Sequence, residues 1–313
     1  MQHNLTDTQR IATSATRADA DRGGGSGQQI VERFAPSPTG RLHLGHAYSA
    51  LLAHDAARRA GGRFLLRFED LDRQRSKPAF AEAILEDLHW LGITPDKLPL
   101  VQSTRAAQHG AALDALQRAG LVFRCVCTRG DIRAAAAPQE GDGPRLDGPI
   151  YPGTCKVTPA PVGADAALRL HLDRALIALG EDVLRFDELG CGPGGERGAQ
   201  VFPVAGLRKM AGDIVLRRRD GTIAYHLAVV VDDAAQGVTH VTRGEDLFHA
   251  TLLHRLLQSL LGLPRPVWRH HRLIRDETGR RLAKRDDARS LAALRSEGWS
   301  VGDVRRRVGL EER

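Results

Sequence analysis

Two imidazoles stand three residues apart in His43-Leu44-Gly45-His46, directly behind the turn-forming run Arg33-Phe34-Ala35-Pro36-Ser37-Pro38-Thr39-Gly40. An apolar repeat of helical period follows at once, so the pair marks a helix N-terminus. Backbone N–H groups lack intrahelical partners there, and the helix dipole favours an anion. Histidines three apart share a helix face and can reach a phosphate, and Gly45 leaves room for a ligand to approach the backbone. A second phosphate-seeking group is distant in sequence. The chain has only five lysines, at 77, 97, 156, 209 and 284, among forty-five basic residues. Lys284 sits among arginines in Arg280-Arg281-Leu282-Ala283-Lys284-Arg285. An ammonium is a compact point charge suited to a single phosphate oxygen, whereas a guanidinium is a planar fork.

A third set is Cys125-Val126-Cys127 with Tyr151-Pro152-Gly153-Thr154-Cys155. Cys-X-Cys is too tight for an unstrained disulfide, while three thiolates and a fourth donor suit zinc. The fourth donor could be Tyr151, His171, Cys191 or water; spacing favours Tyr151, which enters on the same turn as Cys155. A fourth set is Arg33, Glu69, Tyr225 and Arg243, expected at strand ends, where open α/β sheets bind ligands. Arg33 and Arg243 can hold a carboxylate bidentately and Glu69 an ammonium, a combination that fits an acidic amino acid. Val230-Val231-Asp232-Asp233 has the look of a strand ending in a metal-binding acidic pair.

The elements that must position these groups follow from periodicity. A strand is expected at Ile30–Ala35, a helix from His43 to about Ala60 stopped by Gly61-Gly62, a strand at Phe64–Phe68 and a helix from Pro78 to Leu91. Ser103 or Thr104 can cap a third helix running to Gly120. Strands are expected at Ile214–Leu216, Tyr225–Val231 and Val238–Thr242. Helices are expected at Phe248–Leu261 and Ser290–Glu297. Strands alternating with helices give a parallel sheet in an α/β fold. The boundaries are a disordered tail at 1–29, a catalytic domain at 30–120 and 205–263, a Pro- and Gly-rich insertion with the cysteines at 121–204, and a basic helical segment at 264–313.

The 313 residues carry a formal charge of +7. Residues 264–313 hold fourteen Arg and Lys against eight Asp and Glu, so nearly all the excess lies there. Such a surface suits a polyanion such as RNA, although a solvated basic tail explains the same count. The chain has neither an eighteen-residue apolar run nor an apolar leader, and four cysteines do not make a disulfide scaffold. A cytoplasmic monomer is expected.

Taken together and in order, these residues resemble the class I aminoacyl-tRNA synthetases, specifically the glutamyl branch. His43–His46 resembles the HIGH signature, and Arg281–Arg285 resembles KMSKS with Lys284 on its lysine. Arg33–Gly40, Phe68–Asp72, Tyr225–Asp233 and Arg243–Leu247 are similar to glutamyl-family blocks. The resemblance covers about residues 30–290. It implies a Rossmann-like class I synthetase catalytic domain with a zinc-bearing insertion. It supports Cys125, Cys127, Tyr151 and Cys155 as ligands of one structural Zn²⁺. It places His43, Gly45, His46 and Lys284 on ATP, with His43, His46 and Lys284 catalytic and Mg²⁺ accompanying the nucleotide. It places Arg33, Phe34, Ala35, Pro36, Ser37, Glu69, Tyr225 and Arg243 on L-glutamate.

Only twenty-eight residues follow Arg285, too few for an anticodon-binding domain with its own core. The resemblance is therefore to the truncated branch, the glutamyl-queuosine tRNA(Asp) synthetases. It implies tRNA-independent activation of glutamate and transfer to queuosine in the anticodon loop of tRNA(Asp). Two alternatives stay open: a compact enzyme charging the 3′ end of tRNA(Glu), and a non-catalytic RNA-binding relic of a synthetase.

Overall fold

The computed structural model describes residues 29–136, 150–275 and 289–310. The expected tail, apart from residue 29, and Lys284 lie outside the described residues.

The first half alternates strand and helix. β1 (Val31–Phe34) leads to α1 (Leu44–Arg59), β2 (Arg63–Phe68), α2 (Pro78–Trp90) and the two-residue β3 (Leu100–Val101). A 3₁₀ turn, Gln102–Arg105, runs into α3 (Ala106–Arg118). Pro78 opens α2 at its first turn, where the missing N–H costs nothing. Ser103 and Thr104 lie within the 3₁₀ turn rather than capping α3. The Ser103 hydroxyl instead donates to Asp70, and Thr104 bonds the carbonyl of Val101.

The middle of the chain forms β4 (Val122–Cys125), α4 (Arg129–Ala136), α5 (Thr154–Val157), β5 (Ala167–Leu170) and α6 (Leu172–Leu179). The hairpin β6 (Val183–Glu188) and β7 (Gly198–Pro203) follows, then α7 (Val204–Met210) and β8 (Val215–Arg217). Next come α8 (Tyr225–Gln236), β9 (His240–Gly244), α9 (Ala250–Leu261), β10 (Val267–His271), α10 (Leu291–Ser296) and α11 (Val301–Val308).

The main sheet has seven strands in the order β3-β2-β1-β9-β10-β6-β7, parallel throughout except for the antiparallel edge strand β7. A small antiparallel sheet, β4-β5-β8, carries the cysteine-bearing strand. Two departures from the sequence reading matter. Composition assigned 121–204 to an insertion, but β6 and β7 fall inside that range and complete the main sheet beside β10. Part of the Gly- and Pro-rich composition that signalled an insertion is the turn of their hairpin, between Glu188 and Gly198; residues 137–149 lie outside the described residues.

The second departure is Tyr225–Val231, expected as a strand and found as the first turns of α8. A short run of buried apolar residues fits either element. Here Leu227, Ala228, Val229 and Val230 are all buried within one core, so no polar face betrays the helical period.

Two apolar clusters hold the frame. One joins α3, α6, α8 and α9 to the sheet around Phe186, Phe248 and Trp268. The other joins α1 and α2 to α10 and α11 through Leu42, Leu51, Phe64, Leu294 and Val304. Trp268 is 1% exposed and meets Phe186 edge-on with ring centroids 5.6 Å apart. Replacing Trp268 by Ala should cost about 3–5 kcal/mol, the usual penalty for emptying a large core aromatic site. Urea denaturation followed by far-UV circular dichroism will show it as a lowered midpoint.

Candidate active site

The two signature histidines build the start of α1 rather than share one of its faces. His43 is the N-cap, with extended backbone at φ −128° and ψ 175°. Its Nδ1 accepts the Gly45 N–H at 3.1 Å, and His46 Nδ1 accepts the His43 N–H at 3.2 Å. This is a reciprocal capping box made from two imidazoles, with ring centroids 3.8 Å apart. With Nδ1 accepting in each ring, the neutral tautomer carries its proton on Nε2 as a donor. A Cβ on residue 45 would lie 3.0 Å from His43 Cε1, so the space that Gly45 provides is filled first by the His43 ring.

The corner is fixed from behind. Asp87 on α2 bonds the backbone of Leu42, and burial pushes its carboxyl up to about 6 although Arg295 and Arg41 pull it down. The Leu42 carbonyl accepts the Leu291 N–H at 2.9 Å, and His43 forms an isolated bridge with Ser290. The chain just after residues 276–288 is thus stitched to the histidine corner.

A cavity of about 640 Å³ opens at this corner. His43, Gly45, His46 and Ser49 line one part; Arg33 to Ser37, Glu69, Tyr225 and Arg243 line another. All the expected amino-acid and nucleotide residues that lie within the described residues, Lys284 being outside them, therefore meet in one cavity. Asp72, Arg75, Arg218 and Asp246 also line it, and the sequence reading did not single these out.

Beneath the cavity lies a buried layer of charge. Asp233 Oδ1 receives Arg33 Nε at 3.1 Å and Arg67 Nη1 at 2.8 Å, and Arg67 Nη2 donates to Glu69 at 3.1 Å. Burial pushes the Glu69 carboxyl up against the pull of Arg67 and Arg33. Burial also opposes ionisation of Asp233, but Arg33 and Arg67 hold it below the ordinary carboxylate range. Arg33 uses Nε here and one Nη1 proton on the Thr242 carbonyl. Arg67 is a member of this layer that sequence reasoning did not name, and Asp233, read there as half of a metal-binding pair, is instead the acceptor of two arginines. The legible hint was a charged residue inside the apolar strand Phe64-Leu65-Leu66-Arg67-Phe68.

Arg243 differs from the other two arginines because, among the described residues, no carboxylate touches it. Its Nε donates to His270 Nε2 and its Nη1 to His254 Nδ1, each at 3.1 Å. Its Nη2 donates to the Leu247 carbonyl at 3.1 Å and to Thr251 Oγ1 at 2.7 Å, and Tyr225 also bonds the guanidinium. This leaves no pair of parallel N–H groups for the bidentate grip expected of Arg243. A buried cation held by neutral groups alone is still a strong attractor for an incoming carboxylate. Tyr225 reaches this place from the first turn of α8, not from a strand end.

The expected acidic pair, Asp232 and Asp233, does not form a metal site. Adjacent residues on a helix point about 100° apart, and each carboxylate has its own basic partners. Asp232 takes Gln102 at 2.8 Å, Arg105 at 2.6 Å and His109 at 3.0 Å, so it ties α8 to α3 and the turn before it.

The cysteines gather as spacing led one to expect. The Sγ atoms of Cys125, Cys127 and Cys155 lie within 4.8 Å of one another. Tyr151 Oη is 3.5 Å from Cys127 Sγ and accepts the Cys155 N–H at 2.8 Å. His171 is occupied otherwise, its Nδ1 taking the Arg174 N–H, and Cys191 sits beside β10, bonded to the His270 carbonyl. Three thiols and a hydroxyl at this spacing can hold a metal ion.

Comparison with known proteins agrees with this geometry. Residues 29–155 and 200–306 match the family described as tRNA synthetases class I (E and Q), catalytic domain. A glutamyl-Q tRNA(Asp) synthetase from Rhodobacter capsulatus is 54% identical over 286 residues, covering 90% of this chain and 100% of that protein. The chain belongs to the glutamyl-Q tRNA(Asp) synthetase family. A second relative, the glutamyl-Q tRNA(Asp) synthetase of Nitratidesulfovibrio vulgaris, is 43% identical over 88% of this chain and 84% of its own length. Among solved structures, the glutamate tRNA ligase of Elizabethkingia meningosepticum superposes with a TM-score of 0.69 at 26% identity. The match covers 88% of this chain but only 59% of that one, so the chain spans about three fifths of the longer ligase. The fold is therefore the α/β catalytic domain of a class I synthetase. Among the described residues no helix is long and apolar enough to cross a membrane.

The buried imidazoles make stability depend on pH. Burial drives the pKa of His226 and of His270 down to about 4, so both are neutral in the folded protein near pH 6. Between about pH 6.5 and 4 the unfolded chain binds more protons, so stability falls as pH falls through that window. Denaturation midpoints measured across it should decline, and His226→Gln should flatten the decline.

Proposed function

We propose that the protein activates glutamate with ATP and then transfers it to queuosine in the anticodon loop of tRNA(Asp). The carrying observation is that one cavity is lined both by the capped His43–His46 corner and by Arg33, Glu69, Tyr225 and Arg243. The names of the relatives supply the acceptor: they are glutamyl-Q tRNA(Asp) synthetases. The glutamate tRNA ligase with a similar fold was solved with its amino acid, which fits an amino-acid pocket in this fold.

In this reading Arg33 and Arg243 bind the side-chain carboxylate of glutamate, and Glu69 accepts its ammonium. Phe34, Ala35, Pro36 and Ser37 form the wall beside it. The α-carboxylate attacks the α-phosphorus of ATP in line, the bond to the bridging oxygen breaks, and pyrophosphate leaves. The Nε2–H groups of His43 and His46 donate to the phosphates, with Gly45 beneath. Lys284, carried over by its motif, neutralises the charge that develops on them. Positioning and preset charge supply most of such a barrier reduction. A queuosine hydroxyl then attacks the glutamyl carbonyl and AMP leaves. Mg²⁺ bound with ATP would screen the phosphates from one another.

The cysteine cluster is read as a zinc site of Cys125, Cys127, Cys155 and Tyr151. A four-donor set has no open position, so its role is structural: it braces the knuckle after β4. The protein acts as a cytoplasmic monomer in this reading.

Radiolabelled glutamate should pass to tRNA(Asp) that carries queuosine and not to tRNA(Asp) that lacks it. Labelling of tRNA(Glu) at its 3′ end instead would select the compact-synthetase alternative. Lys284→Ala should slow glutamate-dependent ATP–pyrophosphate exchange by about 10²-fold or more while glutamate binding persists, as expected for loss of a charge that acts in the transition state. Metal analysis should find about one zinc per chain, lost in Cys155→Ser. A folded, metal-free protein would remove zinc from the assignment.

A further inference from the structure

The imidazole of His270 stands between Arg243 and a fully buried carboxylate, Glu188. Arg243 and His270 are register partners on the adjacent parallel strands β9 and β10, so their side chains emerge on the same face of the sheet. Glu188 ends β6, the next strand across. It lies at residues outside the segments that match the synthetase family, in the hairpin that joins the main sheet. Its two oxygens have different duties. Oε1 accepts two backbone N–H groups, from Gly190 at 2.7 Å and from His270 at 2.8 Å. Oε2 meets His270 Nδ1 at 2.5 Å. A Cβ on residue 190 would fall 2.0 Å from the His270 carbonyl and 2.9 Å from Glu188 Oε1, so glycine is required for this approach.

These bonds fix the tautomer of His270. A carboxylate only accepts, so Nδ1 carries the proton and donates it to Glu188. Nε2 is then a lone pair, and it accepts the Arg243 Nε–H. His254 acts likewise on the other side: its Nδ1 accepts from Arg243, so its Nε2–H donates to His226 Nδ1 at 3.1 Å.

We propose that Glu188, acting through His270, is a positioning residue that orients Arg243 for the carboxylate of the amino-acid substrate. The ring stands between the Glu188 carboxylate and the guanidinium and keeps the two from direct contact. A carboxylate in direct contact would satisfy Arg243 and compete with the substrate; a neutral acceptor orients it and leaves its charge unmatched. The selectivity that follows is for an acid over its amide, because an amide brings no charge to Arg243. This rests on the reading of the cavity as a glutamate site.

The isosteric variant Glu188→Gln separates the alternatives. The two backbone N–H groups hold an oxygen at the Oε1 position, so the new NH₂ faces His270 Nδ1. That forces the proton to Nε2, where it opposes the Arg243 N–H. In ATP–pyrophosphate exchange, the variant should raise the KM for glutamate by about 10-fold or more, as for loss of a hydrogen bond to a charged group. Its kcat should change by less than about 3-fold and its KM for ATP should not change, since the interaction removed serves binding. A parallel loss in kcat and in both KM values means a structural role and overturns the proposal. An unchanged KM for glutamate overturns it as well. A wild-type protein with no glutamate-dependent exchange removes the glutamate reading and this inference together, which distinguishes the two failures. A measurement independent of activity guards against a variant that does not fold: ¹⁵N chemical shifts of His270 in the wild-type protein should show the Nδ1–H tautomer. The Nε2–H tautomer there would overturn the proposal.

Discussion

Three arginines lie buried at the carboxyl ends of the central strands, and among the described residues only two carboxylates touch them. Glu69 and Asp233 neutralise Arg67 and Arg33. Arg243 is left to imidazoles, a hydroxyl, a carbonyl and a phenol. Burying an ion without a counter-ion is costly, and the cost falls when a ligand brings the missing charge. In the proposed reading this imbalance makes the cavity above favour an acidic guest over a neutral one of the same shape.

The sheet is what makes the imbalance possible. Parallel strands β9 and β10 set Arg243 and His270 side by side, β1 brings Arg33 to the same face two residues away, and register alone decides that these side chains share it. α8 closes the layer by delivering Tyr225 from its first turn and Asp233 from its third. Asp232, one residue earlier, points elsewhere and ties α8 to α3. The Val-Val-Asp-Asp run therefore divides its carboxylates between the site and the scaffold. The histidine corner is held in a comparable way. Its rings complete their own helix cap, and Leu42 behind them is fixed by Asp87 and by the backbone of α10. Rigid support of this kind holds the two imidazoles in place, as the proposed mechanism needs if their Nε2–H groups are to meet developing charge without moving.

Much of this was legible in the chain. The helix after His43 announced itself by its apolar period and its Gly61-Gly62 stop, and the Pro78 helix by its first residue. The Cys-X-Cys and Tyr-X₃-Cys spacings specify a knuckle, because short loops leave the thiols little freedom to separate. Other features were not legible for physical reasons. Residues 226–230 within Tyr225–Val231 are all buried, so the run lacks the exposed polar face that would reveal a helix. The β6–β7 hairpin is turn-rich and polar, so its composition reads as an insertion although its strands pair with the main sheet. Ser103 has the residue type of a helix cap, yet Asp70 offers its hydroxyl a charge-assisted bond and takes it out of that role.

By itself, the sequence determined which groups have the chemistry for the proposed reaction: the paired histidines, the cysteines, and arginines near an acid and a tyrosine. Local forces act within a few residues, and helix caps, turns and knuckles are written at that range. Only the tertiary structure decided which arginine keeps an unmatched charge. That depends on where carboxylates from distant elements come to rest: Asp233, on α8, against Arg33 and Arg67, and Glu188, on β6, separated from Arg243 by an imidazole. Those distances are set by strand order and register, which link residues some two hundred positions apart, and no local pattern in the chain encodes them.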